Sequence, residues 1–216
     1  MTYDLIIISQ SKGDLIRVTQ QCIDSARKDN ADLNIIVVET GAPYDYHVDK
    51  IGTYEGEFNY NHALNLGLQY AKSDYQVLCN NDIIFHPGWS KMGDVMQVNE
   101  YLSASALSND QRQRICKRGN VAYEGYVIGI HLTGWCIFTA KELWSKIGKL
   151  SEKHRFWYAD NVYADQLIQA KIKHALICSI QVDHLGSRTL QKQPRNIQQL
   201  YTYSQGRAVR EFKSLR

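Results

Sequence analysis

The residues best suited to chemistry in this chain stand just behind runs of apolar side chains. Asp82 closes the tripeptide Asn80-Asn81-Asp82, directly after Val77-Leu78-Cys79. A carboxylate there offers a hard oxygen ligand, of the kind Mg2+ takes in ones and twos together with substrate phosphates. His184 follows the apolar stretch Ala175 to Val182 and would add an imidazole, which suits Mn2+-type sites better than Mg2+. Asp160 follows Phe156-Trp157-Tyr158, and a carboxylate beside an aromatic wall can take a proton from a bound hydroxyl. Each residue also has a plainer reading. Asn80-Asn81-Asp82 fits an ordinary turn, His184 a loop histidine bonded to a backbone carbonyl, and Asp160 the N-cap of the helix that follows. Asp165 lies one and a half turns further along and faces elsewhere. Ser9, Gln10, Glu39 and Thr40 complete the set of polar residues at the ends of apolar runs.

These residues can meet only if the runs are strands of one sheet. Asp4 to Ser9 and Asn34 to Glu39 are continuous β-branched runs, the signature of buried parallel strands. Between them, Leu15, Val18, Cys22, Ile23 and Ala26 repeat at helical spacing. Strand, helix, strand makes a βαβ unit with a right-handed crossover. A helix over Tyr60 to Ala71 with Asn59 as N-cap, a strand over Tyr75 to Cys79, an apolar Ile83-Ile84-Phe85, and a short helix over Trp89 to Val98 follow. Strands are expected at Tyr126 to Ile130, Gly134 to Thr139 and Ala175 to Val182. Helices are expected over Ala140 to Ile147, ending at Gly148, from Asp160 through Lys171, and over Asn196 to Leu215. Residues 101–125 are polar without clear period and read as a long loop or irregular insertion. In such open α/β sheets ligands bind at the carboxyl ends of the strands, where the polar residues named above fall.

Composition sets the bounds. The chain has 216 residues, 44% of them hydrophobic, enough for one domain with a full core. A net charge of +3 does not by itself make a nucleic-acid binder. Arg207, Arg210, Lys213 and Arg216 make the C-terminus more basic, which suits a solvated helix face or a phosphate-binding tail. Cys22, Cys79, Cys116, Cys136 and Cys178 form no C-x-x-C pair and read as buried reduced thiols. No apolar run has membrane-spanning length and no signal peptide is visible, so the expectation is a soluble, cytoplasmic protein.

Several blocks, taken in order, resemble the family-2 group of inverting glycosyltransferases with the GT-A fold. The opening DLIIISQ is similar to that family's first nucleotide-binding strand, and NIIVVETG to its second. Residues 59–82 (NYNHALNLGLQYAKSDYQVLCNND) resemble its helix, strand and DXD metal motif. Residues 133–152 (TGWCIFTAKELWSKIGKLSE) resemble its acceptor-side block, residues 156–176 (FWYADNVYADQLIQAKIKHAL) the block with the catalytic Asp, and VDHLGSRT its late metal loop. The likeness spans roughly residues 3–190.

That resemblance implies an α/β fold: a GT-A, Rossmann-like, mostly parallel sheet flanked by helices, with one domain over 1–190 and a helical extension over 191–216. It implies Asp82 and His184 as ligands of Mn2+ or Mg2+ and Asp160 as catalytic base. Ser9, Gln10, Glu39, Asn61, Asn80, Asn81, Gly134 and Trp135 would bind substrate. The expected reaction moves a hexosyl or pentosyl group from a nucleoside-diphosphate sugar, UDP-sugar foremost, to an acceptor hydroxyl with inversion. The acceptor is a surface glycan or a modified DNA base. Trp135 and Trp157 offer faces for sugar stacking, and residues 108–122 a segment to order over the donor. Three departures from the family pattern stand out. Glu39 replaces an Asp, the metal motif carries one carboxylate, and an acidic pair becomes Asp160-Asn161. Two other activities fit parts of the pattern: a sugar-phosphate nucleotidyltransferase, of whose phosphate loop Ser9 to Gly13 is a faint echo, and a non-catalytic nucleotide-sugar binding module.

Overall fold

The computed structural model describes residues 1–29, 32–116, 122–155 and 158–186. The expected C-terminal helix and extension, the basic tail and Trp157 lie outside the described residues.

Apolar runs become strands in the order β1 (Tyr3–Ser9), β2 (Leu33–Glu39), β3 (Lys50–Thr53), β4 (Tyr75–Asn80), β5 (Ile83–Phe85), β6 (Ser103–Ser108), β7 (Ala122–Glu124), β8 (Cys136–Ala140) and β9 (His174–His184). Among the described residues they form one nine-stranded sheet, ordered β3-β2-β1-β4-β8-β6-β9-β5, with β7 on the first half of β9. Strands β1 to β4 are parallel, as are β6 and β9, while β5, β7 and β8 run against their neighbours. The interleaved helices are α1 (Leu15–Arg27), α2 (Tyr60–Leu68), α3 (Met92–Val98), α4 (Glu142–Ile147) and α5 (Ala159–Gln169).

Alternation along β1 feeds two cores. Leu5 and Ile7 join Cys22, Ile23, Trp89, Met92 and Met96 on the α1 and α3 face. Ile6 and Ile8 join Ala63, Leu64, Leu143, Tyr163 and Leu167 on the α2, α4 and α5 face. Gly67 permits this second layer: a Cβ there would fall 2.3 Å from Ile6 Cγ2, so glycine lets α2 sit down on β1. Asn65, two residues earlier, donates to the Leu150 carbonyl at 2.9 Å and accepts its N–H at 3.0 Å. The Asn-x-Gly pattern thus ties the sheet's second layer together. Asn59 caps α2 as expected, its side-chain oxygen accepting the His62 N–H.

Four expectations are corrected. The segment 101–125 is not one irregular loop: Ser103–Ser108 is an inner strand and Ala122–Glu124 an edge strand. Its Ser-Ala-Ser-Ala-Leu-Ser composition hid β6, because the Ser hydroxyls are satisfied inside the protein. Ser103 Oγ meets Tyr163 OH at 2.7 Å and His174 Nδ1 at 2.8 Å, and Ser105 Oγ meets His174 Nε2 at 3.2 Å. Tyr126 to Ile130 is not a strand but a turn, with Gly129 at φ +81. Lys50–Thr53, in a stretch to which the sequence pattern gives no element, is a fourth parallel strand. Finally, Cys116 and Cys178 are joined in a disulfide, their Cα atoms 5.7 Å apart, so the reduced-thiol reading holds for Cys22, Cys79 and Cys136. Among the described residues no helix is long and apolar enough to cross a membrane.

Candidate active site

Register brings the polar strand ends to one level. Ser9 pairs with Glu39 across β1 and β2, and Ile8 pairs with Asn80 across β1 and β4. Beyond Asn80 the chain turns through Asn81 and Asp82 into β5, whose Ile83 pairs with His184. Leu185 donates its N–H to the Asp82 carbonyl at 2.9 Å. Asp82 and His184, a hundred residues apart, are therefore neighbours by strand pairing. His184 Nε2 lies 3.4 Å from Asp82 Oδ1, with the Asp82 side chain 3% and the His184 side chain 15% exposed. His184 ends β9 rather than lying in the loop after it.

The two side chains are placed as two ligands of one divalent cation would be. Donors about 2.1 Å from an octahedral ion stand about 3 Å apart when adjacent, close to the separation here. Among the described residues His184 Nε2 has no hydrogen-bond partner, so its ring nitrogen is not committed elsewhere. No set of three His, Cys, Asp or Glu able to hold a metal occurs among the described residues. The protein would thus supply two ligands and leave the rest of the shell to water and phosphate oxygens.

The Trp135 indole is stacked on His184, ring centroids 4.7 Å apart and planes at 12°. Its Nε1 is buried without a hydrogen-bond partner among the described residues, and its carbonyl receives the Asn80 N–H at 2.9 Å. The Tyr60 hydroxyl, from the first turn of α2, lies 2.9 Å from Asn80 Oδ1 and 2.8 Å from the Gly134 carbonyl oxygen. It links the β4 end to the Gly134-Trp135 approach to β8.

Asp160 lies against that approach. A Cβ at Gly134 would stand 2.9 Å from Asp160 Cβ and 3.3 Å from its Oδ2. Asp160 is not the N-cap of α5; Tyr158 is, at φ 68. Asp160 sits in the first turn, where its Oδ1 accepts the Asn161 N–H at 2.9 Å. Burial pushes its carboxyl above the usual range, against the opposing pull of the Asn161 N–H and the Arg112 charge. A carboxylate made more basic in this way is suited to accept a proton near neutral pH.

The remaining sequence-named residues bond within the protein. Glu39 is fully buried; its Oε1 accepts the N–H of Ser11 at 2.8 Å and of Gly41 at 2.7 Å, which ties the loop after β1 to the loop after β2. Ser9 Oγ meets Thr19 Oγ1 at 2.9 Å and Tyr46 OH at 3.0 Å. Asn81 donates to Thr19 Oγ1 at 3.0 Å, and Asn61 donates to the Ser151 carbonyl at 2.7 Å. Gln10 is half-buried beside Gly41. Ser9, Glu39, Asn61 and Asn81 are thus engaged with neighbouring backbone and side chains.

Sequence reasoning missed two residues at this site. Asn109, just past β6, holds the backbone of His184 from both sides, accepting its N–H at 3.0 Å and donating to its carbonyl at 3.3 Å. Arg112 sets its Cζ 5.8 Å from the centre of the Trp135 ring. The one signal for either was Asp110, whose side chain caps the short turn at Gln111–Gln113 and marks the segment as ordered.

This architecture is that of the GT-A glycosyltransferases. GalNAc-T7, solved with UDP, GalNAc and Mn2+, superposes with a TM-score of 0.68 at 11% identity, over 85% of this chain and 43% of that one. Staphylococcus aureus TarS gives 0.64 at 10% identity, over 85% of this chain and 36% of its own. The mannosyltransferase PcManGT from Pyrobaculum calidifontis, solved with GDP-Man and Mn2+, gives 0.62 at 11% identity, over 86% of this chain and 57% of its own. The chain therefore spans less than two thirds of each of these proteins, and at such identity the likeness is one of fold. No family model matches the sequence, and no curated protein does either.

Proposed function

We propose that the chain is a glycosyltransferase that moves a sugar from a nucleoside-diphosphate donor to an acceptor hydroxyl with inversion, assisted by a divalent cation. The observation that supports this most is the meeting of Asp82 with His184 at the carboxyl edge of the sheet, with Asp160 packed on Gly134 beside it. The fold neighbours that hold Mn2+ with UDP or GDP-Man make a nucleotide sugar the natural donor class.

In this reading Asp82 and His184 hold Mn2+ or Mg2+, which when bound offsets charge growing on the departing diphosphate. Asp160 accepts the proton of the acceptor hydroxyl. The oxygen then forms its bond to the anomeric carbon as the bond from that carbon to the diphosphate oxygen breaks on the opposite face. Inversion follows from a single displacement with one carboxylate acting as base. Trp135 offers its indole edge to the donor sugar. Glu39 holds the two loops around the nucleoside by its bonds to Ser11 and Gly41. The acceptor in this reading is a hydroxyl, of a glycan or of a modified DNA base.

The test uses two variants. Asp160→Asn is expected to abolish transfer while retaining donor binding, and Asp82→Ala to lose metal-dependent donor binding as well. Thermal melts of both variants establish that they remain folded. Transfer at the wild-type rate by Asp160→Asn overturns the assignment of the base.

A further inference from the structure

Arg112 is fixed more firmly than a surface arginine needs to be. Its Nε lies 3.1 Å from Asp110 Oδ1, and its Nη2 lies 2.7 Å from Asp110 Oδ2. The guanidinium also lies on the bare backbone of Gly129, where a Cβ would stand 2.4 Å from Nη1. Gly129 holds φ +81, a conformation that favours glycine, so both the turn and the slot require the missing side chain. The third contact is the Trp135 ring, within cation–π range. A carboxylate of the same turn and two positions of the 129–135 stretch thus orient one planar cation whose side chain is still 57% exposed.

Asp110 occupies Nε and Nη2. Among the described residues no hydrogen bond involves Nη1, so its two N–H groups remain for a ligand. The guanidinium stands over the same indole that stacks on His184, and its charge is felt at Asp160. It is therefore adjacent to the residues that would bracket the donor's reacting bond. A guanidinium can hold Asp110 through Nε and Nη2 and still present Nη1 to a phosphate oxygen, which a lysine ammonium cannot do in the same geometry.

We propose that Arg112 is a diphosphate-binding residue, held ready by Asp110, Gly129 and Trp135, which neutralises the leaving group from the side away from Asp82. The assignment rests on the nucleotide-sugar reading above and deepens it.

Calorimetric titration of the full chain with UDP, GDP, UMP and GMP in Mn2+ tests it. Wild type is expected to prefer a diphosphate over its monophosphate. Arg112→Ala should weaken the diphosphate about tenfold or more while leaving the monophosphate unchanged. Arg112→Lys should recover only part of the loss, and Asp110→Asn should weaken the diphosphate by a smaller factor. If Arg112→Ala lowers the melting temperature but keeps the wild-type ratio of diphosphate to monophosphate affinity, Arg112 is a structural pin and the assignment is overturned. A wild-type protein that binds neither diphosphate overturns the reading of function itself, and the assignment with it.

Discussion

Adding a single methyl group at Gly134 should disable the protein by moving Asp160. Gly134 has no positive φ, so alanine carries no backbone penalty there and the effect is one of contact alone. The new Cβ would lie 2.9 Å from Asp160 Cβ and 3.3 Å from both Cγ and Oδ2. Carbon atoms in contact prefer roughly 3.5–4.0 Å, so a gap of about 0.6–1 Å must open. The far end of a flexible side chain could absorb that; a Cβ cannot move without its backbone. The backbone here is the first turn of α5, anchored by buried Ala159 and by the bond of Tyr163 to Ser103. A catalytic group displaced by about 1 Å costs on the order of a hundredfold in rate, while overpacking costs about 1–3 kcal/mol of stability. Gly134→Ala is therefore expected to lower turnover about a hundredfold and the melting temperature by several degrees, with nucleoside-diphosphate affinity nearly unchanged. The assay is release of nucleoside diphosphate from the nucleotide sugar, with water or an added sugar as acceptor, beside calorimetric binding. Turnover within about twofold of wild type in a folded Gly134→Ala protein would refute the placement of Asp160 as the base.

Three further outcomes are expected. Because burial raises the Asp160 carboxyl and the base must be ionised, activity should fall on acidification through a pH above the ordinary carboxylate value of about 3.9; an acid limb at or below that value in folded protein contradicts the role. Burial pulls the His174 imidazole down to about 3, so the folded state holds it neutral while the unfolded chain takes a proton below about 6.5. Its contribution is then fully present above about pH 6.5 and is lost as pH falls towards 3, on the order of a few kcal/mol; urea melts across that window should show the slope, and His174→Phe should flatten it. Asn109→Ala frees the backbone that carries His184 and should weaken Mn2+-dependent nucleotide binding about tenfold, with monitored Mn2+ affinity falling in parallel; unchanged affinity removes Asn109 from the site.

How far the sequence reveals this architecture depends on the kind of residue that builds each part. The strands that read clearly are the apolar ones: Leu5 to Ile8 and Ile35 to Val38 are buried throughout, and nothing but a two-faced sheet can absorb them. Strand β6 was illegible because its serines look like loop residues until His174 and Tyr163 are there to bond them. Strand β3, short and half-exposed, carries too little apolar signal to be read alone. Asp82 and His184 could be placed at strand ends from their neighbours in sequence. Their contact, by contrast, depends on the antiparallel pairing of β5 with β9, a long-range register that local pattern does not encode. Asn109 and Arg112 sit in a polar stretch without periodicity, and only the fold shows that one grips the backbone of His184 and the other faces Trp135. The cysteines mislead for a similar reason: Cys116 and Cys178 are 62 residues apart in sequence, and no spacing rule joins them.

The most direct test of the account is calorimetric binding of UDP and GDP to wild type and to Asp82→Ala, each with Mn2+ and with chelator. The account predicts that wild type binds at least one of the two nucleotides tightly in Mn2+ and at least about tenfold more weakly in chelator, and that Asp82→Ala shows only the weak, metal-independent affinity. Binding that is equal with and without Mn2+, or a metal response that survives in Asp82→Ala, would contradict it.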